Sequence, residues 1–183
     1  MDFFEEEIAG LDEEVERRMG PFQKALEQVD SVTGVGRRGA EEILVETGKE
    51  MERFPTDAHI ASWAKLCPGN NESAGKRKSG SIGGGNPWLR SALIEAAWAA
   101  VRTRTYLSAQ FHRLAARIGA KRAIVAVAHS ILVIIYHVLK DGVPYQDLGH
   151  DYFQHRNPER VRHRAIRQLE SLGYNVTLDL KPA

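Results

Sequence analysis

The sequence predicts an all-α fold. Apolar residues recur at helical spacings along most of the chain, no stretch sustains the alternation of a half-buried strand, and no internal repeat is present. The 183 residues suffice to bury a core. They divide most simply into an acidic helical appendage, residues 1–27, and a helical domain, residues 28–183.

The first element is a coiled-coil-like helix over about 4–18, in which Phe4, Ile8, Leu11 and Val15 form one stripe at spacings of four, three and four. That stripe requires a partner, from the body, a second copy or another domain. Gly20-Pro21 interrupts it, and a short second helix runs from Pro21 to about Asp30.

Residues 29–44 carry the spacing of a helix-hairpin-helix: Val29 and Val32, the turn Gly34-Val35-Gly36, then Ala40 and the pair Ile43-Leu44. Two glycines allow a tight turn whose N–H groups, with the next helix N-terminus, can hold a DNA phosphate without reading sequence. Arg37 and Arg38 add charge at that place. The same spacing also suits a hairpin used only for packing.

A helix from about Thr56 to Leu66 has Ile60, Trp63 and Ala64 as its apolar face. An alanine-rich helix follows from Pro87 to about Arg104, with Leu89, Leu93, Ala96, Ala97 and Ala100 inward. Tyr106–Ile118 and Arg122–Lys140 are two more, divided at Gly119, the second closed by Asp141-Gly142. An Arg-rich helix over about 158–172 ends at Gly173, leaving a β-prone tail, Tyr174–Leu180, as the expected place for any strand.

The loop from Cys67 to Arg90 carries most of the chemistry. It holds six glycines and sets Ser73 close to Lys76, Arg77 and Lys78. Asn86 is a good N-cap and Pro87 suits the first helical position, so a helix N-terminus faces the cations and favours an anion there. A solvated linker has the same composition. A hydroxyl can attack a phosphodiester if its proton can leave and cations stabilise the charge developing on the phosphorus oxygens. The cations are at hand, no base is evident, and Ser79 and Ser81 share the loop with Ser73.

Composition narrows the setting. A single cysteine, Cys67, rules out an intramolecular disulfide and fits a reducing compartment. The acidic N-terminus is not a signal peptide. Ala123–Leu139 is apolar, but it is short for a membrane span and carries His129 and His137, so a core helix and no membrane are expected.

Charges are segregated. Residues 1–30 hold ten acids and three bases, a net of −7, whereas residues 76–140 hold eleven bases and one acid, a net of +10. Such asymmetry suits an acidic appendage on a nucleic-acid-facing body, or two segments that pair with each other. Arg102, Arg104, Arg113, Arg117, Lys121 and Arg122 form a basic belt. The spacing of His129 and His137, and the aromatic surroundings of His150, Asp151 and His155, argue against a metal site.

The run Ser31-Val-Thr-Gly-Val-Gly, then Phe54-Pro, Ile60-Ala-Ser-Trp-Ala-Lys-Leu-Cys-Pro-Gly-Asn-Asn-Glu-Ser73-Ala-Gly-Lys and Asn86-Pro-Trp-Leu-Arg90, resembles the C-terminal domain of transposases of the insertion-sequence 110/116/902 family. The likeness continues through Val127-Ala-His-Ser-Ile-Leu-Val and Asp151-Tyr-Phe to Gly173-Tyr-Asn-Val-Thr-Leu. It implies a DNA recombinase acting in transposition of a bacterial element, with Ser73 as nucleophile of a phosphoserine intermediate. The implied DNA contacts are Gly34, Val35, Gly36, Arg37, Arg38, Lys76, Arg77, Lys78, Asn86 and Arg90. Implied partners are DNA, a guide RNA of the element and a second copy or a full-length transposase, and the implied location is the cytoplasm, at the nucleoid.

Two departures stand out. Members of the family carry an N-terminal nuclease-like domain that binds Mg²⁺, in whose place this chain has only residues 1–27, so no cofactor is expected in this chain and activity alone is not expected. Many relatives also have basic residues where this chain reads Ile82-Gly-Gly-Gly-Asn86, and a small residue in place of Lys65. A truncated, non-catalytic DNA-binding fragment that pairs with intact transposase is the alternative.

Overall fold

A computed structural model of the chain describes residues 2–67, 71–73, 76–79 and 84–179, the side chains of residues 2, 71–73 and 76–79 excepted. The fold is all-α. Helix α1 spans Asp2–Met19, and a 3-10 turn at Gly20–Phe22 leads into α2, Gln23–Asp30. A five-residue turn joins α2 to α3, Gly36–Thr47. A further 3-10 turn, Met51–Arg53, precedes α4, Asp57–Trp63. Beyond the hairpin described below come α5, Pro87–Val101; α6, Tyr106–Ile118; and α7, Ala120–Asp141. A single turn of helix, α8, Tyr152–His155, leads to α9, Pro158–Ser171.

The core is organised around α7, which packs against α2, α4, α5 and α6. Its apolar length is spent inward: Val127, Ala128, Ile131, Leu132 and Ile135 are fully buried. Each such Leu or Ile contributes about 1.5–3 kcal/mol of transfer free energy. By length and composition alone α7 could cross a membrane, yet here it is the central helix of the bundle. Gly119, with φ +82°, separates α6 from α7, and Gly142 in the left-handed region ends α7 as the sequence implies.

Helix α5 shows why alanine is frequent there. Ala92, Ala96, Ala97 and Ala100 are buried beside Leu89 and Leu93, which lets α3 and the turn before it approach closely. All five residues expected inward on this helix are buried. On α4 one expectation is corrected: Ile60, Ala61 and Ala64 are buried, whereas Trp63 is 40% exposed and leans on Phe54 with ring centroids 5.5 Å apart. The short helix turns Ala61 inward in its place.

Two strand expectations are also corrected. Residues 174–179 form no strand, and the regular pairing lies in the glycine-rich loop, where β1, Asn71–Ser73, runs antiparallel to β2, Lys76–Ser79. A hairpin satisfies backbone groups locally and needs no core face, so a loop can contain one without apolar alternation.

His129 on α7 illustrates a cost of the packing. Burial holds its pKa below the ordinary value of 6.5, against the opposing pull of the Asp57 carboxylate on α4. A histidine kept neutral in the fold takes up a proton more readily when unfolded. Its contribution is therefore intact above about pH 6.5 and is lost as the pH falls below that value towards the lowered folded-state pKa. Urea titrations between pH 7.5 and about 5 are expected to show that acid limb in the wild type and a shallower one in His129→Gln.

Candidate functional site

The turn between α2 and α3 is built from its buried residues upward. Val29 and Val32 are buried, and the Val35 N–H donates to the Val32 carbonyl at 3.0 Å. Gly34, at φ +91°, lies directly against α5: a Cβ there would stand 2.6 Å from the Ala100 nitrogen and 2.9 Å from the Ala100 Cβ. Gly36, at φ +66°, faces open space. Val35 is 7% exposed, so its side chain belongs to the core. What this turn can offer a ligand is therefore main chain and flanking charge.

The N-terminus of α3 begins at that turn. Its N-cap, Val35, provides no side-chain acceptor, so the first-turn N–H groups are not capped by a side chain. Arg37 and Arg38 stand in the same turn of helix but are not idle. Arg37 pairs with Glu16 of α1 at 3.5 Å and with Glu41 of its own helix at 3.3 Å, and Arg38 pairs with Asp12 of α1 at 2.9 Å. The acidic appendage thus pairs with the basic turn, as the charge segregation allowed. All these groups except Glu41 are largely solvent-exposed, and such pairs are worth about 0.2–1 kcal/mol each, so a polyanion can displace them.

Asn86 and Arg90 lie where the glycine-rich loop re-enters the helical body. The Asn86 Oδ1 accepts from the N–H groups of Trp88 at 3.0 Å and Leu89 at 3.2 Å, and its amide donates to Glu46 of α3. The expectation of free N–H groups at this helix start is corrected: Asn86 itself occupies two of them. The Arg90 guanidinium donates to the Gly84 carbonyl, bracing the end of the loop. Gly85, at φ +44°, sits so close to the Ala64 carbonyl that a side chain would have no room. Asn86 and Arg90 consequently hold the exit of the loop in place.

The hairpin sets Ser73 opposite Lys76 and Glu72 opposite Arg77, with an irregularity between Asn71 and Glu72. The backbone pairing thus brings the serine into register with the first of the three cations. The side chains of Ser73, Lys76, Arg77 and Lys78 lie outside the described residues, as do Gly80 and Ser81.

Residues distant in sequence support this half of the molecule. Ser31 Oγ donates to the Gln28 carbonyl at 2.6 Å and accepts from the Tyr145 N–H at 2.9 Å, tying the turn to the segment after α7. Asp147 accepts from the N–H of Tyr106 at the start of α6 and from that of Gly149, and its carboxylate receives the Tyr145 hydroxyl at 2.9 Å. Burial and this carboxylate push the Tyr145 pKa upward, so the phenol stays protonated. Thr105 stands at the N-cap position but makes no cap bond, and the cap comes instead from forty-one residues away. Among the described residues, no three His, Cys, Asp or Glu side chains converge as a metal site.

The described geometry defines a helical body with an uncapped, arginine-bearing helix start and a separate hairpin holding a serine in register with a lysine. Residues 26–113 match the Transposase IS116/IS110/IS902 family. The chain is also 33% identical over 122 residues to the insertion element IS110 uncharacterized 43.6 kDa protein of Streptomyces coelicolor, an alignment covering 63% of this chain and 29% of that protein. The chain therefore spans under a third of the relative's length.

Proposed function

We propose that this chain is the DNA-binding, serine-bearing domain of a transposase of that family, with Ser73 as its nucleophile. The backbone register of Ser73 with Lys76 at the hairpin supports the reading most directly, because these two residues pair within the region matched to the family. In the reaction, Ser73 Oγ forms a bond to a DNA phosphorus as the bond from phosphorus to the 3′ oxygen breaks. The 3′-hydroxyl leaves with its proton restored, and the phosphate stays on Ser73, joined to the 5′ end. A DNA 3′-hydroxyl later reverses the exchange and frees the serine. Lys76, Arg77 and Lys78 offset the charge developing on the phosphorus oxygens.

DNA reaches the domain through backbone contacts. Phosphates displace Asp12 and Glu16 from Arg38 and Arg37 and meet the start of α3 between Gly34 and Gly36. Asn86 and Arg90 act by holding the loop. Mg²⁺, the carboxylates that would bind it and a guide RNA are the further parts that the family resemblance implies for this reaction.

The test combines this chain with a full-length relative and a labelled element end. A covalent protein–DNA adduct is expected, lost in Ser73→Ala and retained in Ser79→Ala and Ser81→Ala. An adduct that survives Ser73→Ala sinks the assignment. A second reading, a non-catalytic DNA-binding regulator, rests on the exposed Arg37 and Arg38 at the start of α3. It predicts salt-sensitive DNA binding with no adduct under any condition.

A further inference from the structure

The first and last helices are the two that the body leaves bare. On α1, Phe4, Ile8, Leu11 and Val15 are 72%, 54%, 65% and 40% exposed. Helix α9 has no buried residue and exposes Val161, Leu169 and, just beyond its end, Leu172. With Ala165, that second series is spaced four, four and three, so each helix carries one apolar stripe on one face.

The flanks of the two stripes are opposite in charge. Glu5, Glu7, Asp12 and Glu14 border the stripe of α1, and the helix as a whole has eight acids and two bases, a net of −6. Arg162 and Arg164 border the stripe of α9, and that helix holds four arginines and two acids, a net of +2. Pairing either helix with its own kind would oppose like charges along the whole seam. Pairing α1 with α9 covers both stripes and matches the charges.

The two helices are not covering each other within one chain, since both stripes are exposed. They are also anchored apart. Helix α1 is held to α3 by its ion pairs, whereas α9 follows α8, whose Tyr152 and Phe153 pack on Tyr106 of α6 under the Arg113 guanidinium.

We infer that α1 of one copy packs on α9 of a second copy, and reciprocally, to form a two-fold dimer. Isologous symmetry repeats the contact twice. That repetition matters, because a single pair of helices about 21 Å long at the 14-residue overlap is marginal alone. Without DNA, Asp12 and Glu16 remain with Arg38 and Arg37 and Glu14 with Arg17 and Arg18, leaving Glu5 and Glu7 to face the arginines of α9. The inference does not depend on Ser73 chemistry.

Analytical ultracentrifugation of the full chain in low salt is expected to show a reversible dimer. Glu5→Lys with Glu7→Lys, or Arg162→Glu with Arg164→Glu, raises the dimer dissociation constant by about tenfold or more, and combining all four restores it to within about threefold of the wild type. Leu11→Asp yields a monomer with an unchanged melting temperature, because the residue is 65% exposed in the isolated fold. A wild type that stays monomeric, a dimer indifferent to the α9 substitutions, or a failure of the fourfold variant to recover would each overturn the pairing. Weaker DNA binding by the α9 variant with an unaltered dimer would assign its arginines to nucleic acid instead.

Discussion

Gly34→Ala is expected to lose on the order of 3–5 kcal/mol of unfolding free energy, enough to threaten a domain of ordinary stability. Two costs add. A backbone at φ +91° is one that L residues rarely adopt, costing roughly 1–3 kcal/mol. The new methyl would also press on α5, with its Cβ 2.6 Å from the Ala100 nitrogen and nearer still to the Ala96 carbonyl, and overpacking of that kind costs typically 1–3 kcal/mol. Neither opposing atom is the end of a flexible side chain, so relief requires the turn to move away from α5. Gly36→Ala provides the contrast. Its φ is +66°, but a Cβ there meets nothing within 4 Å, so only the conformational cost of about 1–2 kcal/mol applies. Urea denaturation should place the two variants at least about 1 kcal/mol apart at equal m-values. Equal losses would show that the close approach to α5 is not what requires glycine at position 34.

Glycine at this turn thus has a packing reason before any phosphate is considered, and the two uses are compatible. Pressing Gly34 into α5 fixes the direction in which α3 starts. The N–H groups of that start and the flanking Arg37 and Arg38 then emerge on the side that α1 covers. Of the two uses that the sequence leaves as alternatives, the geometry shows the packing one.

The helices were legible because their signals are local. Apolar spacing over Phe4–Val15, the Asn86-Pro87 start and the Gly119 and Gly142 breaks each sit within one or two turns of what they specify. Departures occur where a distant element decides. Trp63 fits the stripe of α4 by spacing, yet the short helix is rotated so that Ala61 faces the core and the indole rests on Phe54. Capping of α6 by Asp147 leaves no trace near Thr105. The pairing of Asp12 and Glu16 with Arg38 and Arg37 was visible only as opposite net charges, since charge composition does not say which carboxylate meets which guanidinium. The β1–β2 hairpin leaves no mark in the sequence, because glycine and serine content signals irregular chain. Main-chain pairing between short polar strands has no apolar pattern to reveal it.

Tyr136 is the largest of the fully buried side chains, and its removal is the second large effect expected. It is 1% exposed on the central helix, and its hydroxyl donates to the carbonyls of Phe54 at 3.1 Å and Pro55 at 3.3 Å while accepting from Lys140 Nζ at 2.8 Å. That single oxygen satisfies main chain that cannot pair regularly, because Phe54 and Pro55 lie between a 3-10 turn and α4. The bond to the hydroxyl also raises the Lys140 pKa, keeping the ammonium charged above Tyr136. Tyr136→Phe keeps the ring and strands the carbonyls of Phe54 and Pro55, so a loss of about 1–2 kcal/mol is expected. Tyr136→Ala opens a cavity beside α4 as well, and the loss rises to roughly 3–5 kcal/mol. The difference between the two measures packing, and the smaller value measures the polar junction. If Tyr136→Phe cost as much as Tyr136→Ala, the hydroxyl rather than the ring would be holding the Phe54-Pro55 segment against α7. Since that segment leads through α4 to Lys65 and so to the contact with Gly85, the path from Tyr136 to the exit of the serine-bearing loop is one of direct packing.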